Sequence, residues 1–214
     1  MQRIAIVDYD MGNLHSVAKA LEHVAPEARI EVTSEASAIR AADRVIFPGV
    51  GAMPDCIRAL ESRGLVDLLK EVAETKPMLG ICLGLQALFG PNEEGDSHGL
   101  GILPGRVRRF ATGLKDADGA RLKVPHMGWN TVRQARAHPL WAGIADQSRF
   151  YFVHSYYVEP ADDALVAGVS AYPEEFACAV ARDRLFAVQF HPEKSQAAGL
   201  RLLANFVGWD GNPG

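Results

Sequence analysis

The chain has 214 residues, 48% of them hydrophobic and 22% charged, with a formal net charge of -4. That length suits a single α/β domain with a substantial core, and the composition excludes a disordered chain. The mildly acidic balance excludes general nucleic-acid binding by charge, and no apolar run is long enough to span a bilayer. No secretory signal is expected, because the apolar run near Met1 is short and acidic residues follow it at once. Cys56, Cys82 and Cys178 are odd in number and widely spaced, so they form neither a disulfide framework nor a C-x-x-C metal pair. Reduced thiols and a cytoplasmic location are the expectation.

Ile4-Ala5-Ile6-Val7 is a continuous apolar run, the mark of a strand covered on both faces. Leu14, Val17, Ala18, Leu21 and Val24 then recur at helical spacing until Pro26 stops the helix. Arg29 to Thr33 alternates as a less buried strand, and Arg44 to Phe47 is a third strand ending in Pro48-Gly49-Val50-Gly51. Leu65, Leu68, Leu69 and Val72 make one helical stripe. A short strand from Lys76 to Leu79 follows, then Gly80-Ile81-Cys82-Leu83-Gly84-Leu85-Gln86, and a helix begins around Leu85. This alternation predicts a doubly wound parallel sheet.

Beyond Phe89 the pattern changes. Pro91 to Gly99 reads as a polar loop. Segments 103–110, 124–132, 150–158, 164–172 and 176–181 read as strands with few helices between them, which is an antiparallel section. Leu185 to Phe190 is again an apolar strand, and it delivers His191-Pro192-Glu193. Ser195 is placed as the N-cap of a last helix with Leu200, Leu203, Phe206 and Val207 on its apolar stripe.

Three features carry chemistry. Cys82 stands between two glycines at a strand-to-helix turn, a thiol version of the nucleophile elbow, where helical N–H groups favour the thiolate. His191 and Glu193, two apart in extended chain, would point the same way and form a base with its orienting carboxylate. The glycine-rich turn at Pro48 can aim backbone N–H groups at an oxyanion. Gln86 lies four residues after Cys82, on the same face of a helix, as a polar contact for substrate. Together these predict acyl transfer through a thioester, with the substrate open. His126, His154 and His191 show no metal-ligand spacing, so no metal and no cofactor is called for. Arg106, Arg108 and Arg109 form a basic cluster, either simply solvated or in contact with a phosphate or partner, with Arg106 and Arg108 on one strand face.

Several segments resemble the class I (triad-type) glutamine amidotransferase family, and most closely its branch of glutaminase subunits of imidazole glycerol phosphate synthase. They are Asp8-Tyr9-Asp10-Met11-Gly12-Asn13, Pro48-Gly49-Val50-Gly51-Ala52, the elbow, Pro125-His126-Met127-Gly128-Trp129-Asn130, Tyr151-Phe152-Val153-His154-Ser155-Tyr156-Tyr157 and Gln189-Phe190-His191-Pro192-Glu193-Lys194-Ser195. Leu85 stands where relatives often carry Met, and Met53 where Phe is common.

The resemblance implies one domain over 1–214 with the class I amidotransferase (flavodoxin-like) α/β fold, a central, mostly parallel sheet flanked by helices with an added antiparallel section. It implies Cys82 as nucleophile, His191 as base and acid, and Glu193 as its carboxylate. Backbone N–H groups at Val50 or Gly51 and at Leu83 would hold the oxyanion. Gln86, Glu94, Ser155 and Tyr156 would grip L-glutamine. The implied partner is a separate cyclase (synthase) subunit built as a (β/α)8 barrel, which would receive ammonia in histidine biosynthesis. Asn13, His126, Trp129 and Asn130 are the candidates for the facing surface. Two readings stay open beside this one: a free-standing triad glutaminase serving another synthase, and a non-catalytic regulatory relative.

Overall fold

Strand and helix alternate from Arg3 to Ala87 in the computed structural model, which describes residues 1–116 and 118–213. Strands β1 (Arg3–Val7), β2 (Arg29–Thr33), β3 (Arg44–Gly49) and β4 (Met78–Cys82) are joined by helices α1 (Leu14–Val24), α2 (Ala36–Ala41), α3 (Met53–Ser62) and α4 (Val66–Thr75). The short helix α5 (Leu83–Ala87) follows β4 without a gap. The second half is built from β5 (Pro91–Asn92), β6 (Ser97–His98), β7 (Gly105–Arg109), β8 (His126–Gln134), β9 (Ser148–His154), β10 (Tyr156–Pro160), β11 (Val166–Ala171), β12 (Glu175–Arg182) and β13 (Leu185–Val188). Helix α6 (Gln196–Gly208) closes the order.

The sheet runs β2-β1-β3-β4-β13-β12-β10-β7-β5-β6, with β11 bridging β12 to the β8–β9 pair. The first five strands of that order are mutually parallel, and β13 onward to β7 is antiparallel. Strand β4 is buried at every position and lies between β3 and β13, which is why its sequence is apolar without alternation. One core fills the face covered by α2 to α5, and a second fills the face covered by α1, α6 and the β8–β9 pair. The crossover that matters most is the last. Strand β13 comes from far along the chain and pairs beside β4, with Val188 opposite Ile81. The chain leaving β13 therefore emerges next to Cys82.

Several local expectations are corrected. Helices α2 and α3 fall in stretches where no helical stripe stands out; α3 buries only Met53, Cys56 and Leu60. The polar segment after Phe89 is not a plain loop, since β5, a 3-10 turn and β6 lie within it. The strand expected over 150–158 breaks at Ser155 into β9 and β10. Strand β13 ends at Val188, two residues before the expected Phe190. Ser195 does stand at the N-cap of α6, but its hydroxyl caps nothing; it donates to the His191 carbonyl at 2.6 Å and accepts from the Tyr151 N–H at 3.0 Å. The arginine cluster is paired with acid: Arg106 and Arg108 both reach Glu159 on β10, at 2.5 and 3.3 Å, and Arg108 also approaches Glu93. These pairs are exposed and screened by water, so they add little to stability.

Candidate active site

The turn from β4 into α5 is forced by close packing. A Cβ on Gly84 would lie 2.0 Å from the Phe47 carbonyl oxygen, so only glycine lets α5 sit this close to β3. Gly49, beside Cys82 in the β3–β4 register, is held from below by Tyr9, whose hydroxyl donates to the Pro48 carbonyl at 2.8 Å. A Cβ on Gly49 would meet that hydroxyl at 2.3 Å. Between these glycines Cys82 adopts φ 55 and ψ -110, a conformation that costs a non-glycine residue about 1–3 kcal/mol. The strain lifts Sγ out of the sheet into a pocket of about 280 Å³. Helix α5 spans only five residues, so its dipole is smaller than a longer helix would supply.

His191 and Glu193 meet by a route other than the expected one. They are not two residues of an extended strand. His191 stands just before a 3-10 turn, Pro192–Lys194, and Glu193 curls back from that turn to accept from His191 Nδ1 at 2.7 Å. Both side chains are buried, at 1% and 0% exposure. The backbone of His191 is fixed from both sides: its N–H donates to the Tyr151 carbonyl at 2.9 Å and its carbonyl accepts from Ser195 Oγ. With Nδ1–H committed to Glu193, Nε2 is the nitrogen left for Cys82.

Among the described residues Nε2 has no hydrogen bond of standard geometry, and its strongest charged neighbour is the Cys82 sulfur. That neighbour governs the ring. Burial lowers the His191 pKa, but interaction with the Cys82 sulfur, then with Glu193, outweighs it and raises the pKa to about 10. His191 is thereby held as an imidazolium at neutral pH. By contrast, burial pushes the Cys56 thiol up to about 12 and the Cys178 thiol higher still, leaving both inert.

The same pocket is lined by Val50, Gly51, Leu83, Gln86, Glu94, His154, Ser155 and Tyr156 beside Cys82 and His191. The expected oxyanion and substrate residues therefore converge. Two of them are already engaged. Glu94 accepts from the Met53 N–H at 2.8 Å, at the start of α3. Gln86 Nε2 donates to the Tyr156 carbonyl and to Gln189 Oε1, both at 3.0 Å.

The four residues expected on a partner-facing surface separate. Asn13 turns inward and donates to Glu193 Oε1 at 3.2 Å. His126 is buried and pairs with His154 at 2.9 Å, so it offers no surface. Trp129 is exposed and borders a shallow depression with Asn130 and the still more exposed Met127. Gln189 carries the clearest role that the residue pattern leaves unassigned: fully buried, its amide donates to Cys82 Sγ at 3.7 Å. Its position two residues before His191 is the available signal.

Residues 5–208 match the family model described as glutamine amidotransferase class-I. The chain belongs to the class I glutamine amidotransferase family. Within that family it is 65% identical to the imidazole glycerol phosphate synthase subunit HisH of Nitrosospira multiformis, over 98% of this chain and 99% of the relative. It is 61% identical to the protein of the same name from Aromatoleum aromaticum, again over 98% and 99% of the two chains. Among solved structures, PurLQS from Thermotoga maritima superposes with a TM-score of 0.72 at 17% identity, covering 97% of this chain and 98% of that one. A putative GMP synthase component from Thermoplasma acidophilum gives 0.70 at 19%, covering 97% and 93%. At such identities the two structures establish the amidotransferase fold. No helix among the described residues is long and apolar enough to cross a membrane.

Proposed function

We propose that this amidotransferase is the glutaminase subunit of an imidazole glycerol phosphate synthase, folded as one domain and acting in the cytoplasm. It hydrolyses L-glutamine and passes the ammonia to a separate (β/α)8-barrel cyclase, which makes imidazole glycerol phosphate and aminoimidazole carboxamide ribotide. The observation that carries the reading is the Glu193–His191 bond of 2.7 Å ending on the pocket that holds Cys82. The match to the glutamine amidotransferase family supports glutamine as the substrate, and the full-length relatives, each named as a subunit of that synthase, support the need for a partner.

The mechanism follows from the residues. Cys82 thiolate attacks the side-chain carboxamide carbon of glutamine. Backbone N–H groups at Leu83 and at Val50 or Gly51 hold the oxygen as it gains charge. His191, protonated at Nε2, gives that proton to the leaving nitrogen, and the C–N bond breaks to release ammonia. Neutral His191 then takes a proton from water, which attacks the glutamyl thioester; glutamate leaves and the thiolate returns. Glu193 keeps the proton on Nδ1 throughout. Gln86, Glu94 and the backbone of Ser155 and Tyr156 hold the amino-acid end. In open water at neutral pH the ammonia would become ammonium and lose its nucleophilicity, so it must travel under cover to the second active site. Trp129 and Asn130 remain the proposed facing residues, with Asn13 turned inward to Glu193 and the buried His126 behind them.

In the assembled complex with the cyclase, Cys82→Ala is expected to abolish glutamine-dependent synthesis while synthesis from ammonium salts continues. Glutamine turnover by the Cys82→Ala protein would overturn the reading.

A further inference from the structure

Gln189 lies just past the end of β13, with its N–H donating to the Cys178 carbonyl at 2.8 Å, and its side chain is entirely buried. The side chain spans two groups. Nε2 is 3.7 Å from Cys82 Sγ, and Oε1 accepts from Gln86 Nε2 at 3.0 Å. An amide could in principle be turned round, which would present oxygen to the sulfur instead of N–H. The neighbours forbid it. A backbone carbonyl can only accept, so the Tyr156 carbonyl, 3.0 Å away, requires nitrogen at the facing end of Gln86. That nitrogen is a donor, so the end of Gln189 beside it must be oxygen. The remaining end, facing Cys82, is then N–H.

The same carbonyl also orders the opposite side. His154 Nδ1 lies 2.8 Å from Tyr156 O and must donate to it. His154 Nε2 then accepts from His126 Nδ1 at 2.9 Å, and His126 Nε2 is left to accept from Asn130 at 3.3 Å. Every donor in the chain from Asn130 to Cys82 is thus fixed by a group whose polarity cannot reverse.

We propose that Gln189 is a further catalytic residue, whose amide N–H donates to the Cys82 sulfur and favours the thiolate, and that Gln86 is the positioning residue that keeps this donor aimed. The proposal rests on Cys82 being the nucleophile. A hydrogen bond to the charged form of a group stabilises that form, and inside a water-poor pocket it does so more strongly than in solution. It also changes what Gln86 can offer. Both its N–H bonds are used within the protein, so only its carbonyl oxygen is left for a ligand.

The titratable groups facing Cys82 are His191 with Glu193 behind it, His154 and Glu94 on the pocket wall, and Tyr9 packed against β3. None is altered in the test, which follows the rate of Cys82 alkylation by iodoacetamide against pH on the full chain. Cys82→Ala protein supplies the blank. Gln189→Met keeps the shape and removes the donor. Gln86→Met keeps Gln189 but removes the donor that orients it and adds no charge beside the sulfur, so the Gln189 amide is no longer held with its N–H toward Cys82. Both variants are expected to move the midpoint of the profile up by about one unit, which is about tenfold slower alkylation below it. The rates should converge with wild type at alkaline pH, where Cys82 is ionised in every variant. If Gln189→Met does not fold, Gln86→Met decides alone. An unmoved midpoint, or a uniform slowing at all pH values, overturns the proposal. Wild-type protein that reacts no faster than the Cys82→Ala blank removes the nucleophile assignment instead.

Discussion

His191 and His154 are both buried, and both line the pocket that holds Cys82. Burial acts on each in the same direction, lowering the pKa by penalising the imidazolium. The outcomes are opposite. His191 is raised to about 10, because a sulfur and a carboxylate stand at its two nitrogens. His154 is lowered to about 3, because burial dominates and its two partners, the Tyr156 carbonyl and His126, bring no negative charge to offset it. The pair shows that depth in the protein does not decide the charge of a histidine here; the charge of its neighbours does. One ring is thereby suited to hold and hand over a proton. The other serves as neutral framework.

The sharpest way to break this contrast is Glu193→Gln. An amide can still accept from Nδ1, but it brings no charge, and its N–H end can compete for the same place. His191 should then titrate closer to His154, and the proton it must donate should be held less firmly. We expect kcat for glutamine hydrolysis to fall about 10²–10⁴-fold, the range general acid–base assistance supplies. The imidazole titration, followed by NMR, should move down together with kcat. A His191 titration unchanged in Glu193→Gln would mean that Cys82 alone sets it, and the comparison would need rewriting.

The sequence makes the contrast only partly readable. Continuous apolar runs such as Ile4 to Val7 and the helical stripe in α1 announce a doubly wound sheet, because strands buried on both faces cannot alternate. Cys82 and its glycines are legible for the same reason: a crowded turn restricts the residue types that fit. Pairing is harder to read. Nothing local to Leu185–Val188 says that it will return beside β4, and that return is what joins His191 to Cys82. Nor does residue type separate His126 and His154 from His191; each stands at the end of a strand or just past one, and only long-range packing decides which meets a carboxylate. Helix α3 is hidden because Pro54, Asp55 and Arg58 interrupt its small apolar face.

Stability against pH sharpens the contrast from the other side. His154 is lowered to about 3 and His126 to about 4, mainly by burial in both cases. An unfolded histidine takes up its proton near pH 6.5, so the neutral rings stabilise the fold fully above that pH. Their contribution is lost as pH falls from about 6.5 toward the folded values. His191 behaves oppositely: its contribution is complete below pH 6.5 and is lost as pH rises toward 10. Denaturant unfolding at pH 7 and pH 5 should show a loss of about 2 kcal/mol from the deeply buried His154 and a smaller one from His126, whose charge is better screened. In His154→Gln, which can still donate to the Tyr156 carbonyl, the loss between those two pH values should be smaller. An equal loss in that variant would place the pH sensitivity elsewhere.

The smallest effect concerns the group that holds Glu193 from behind. Asn13 stands at the N-cap of α1, yet its side chain makes no capping bond and instead donates to Glu193 Oε1 at 3.2 Å. Asn13→Ala therefore takes no cap from the helix. What it removes is one of the two donors on that oxygen, leaving His191 Nδ1 as the other. A hydrogen bond of this kind is worth about 0.5–1.5 kcal/mol, so kcat should drop about three- to tenfold while the melting temperature falls by only a few degrees. Among the described residues Glu193 Oε2 has no partner, so of these His191 would hold the carboxylate in the variant within its burial. If kcat is unaffected, burial and the imidazolium suffice to fix Glu193, and the difference between His191 and His154 rests on charge rather than on how firmly that charge is positioned.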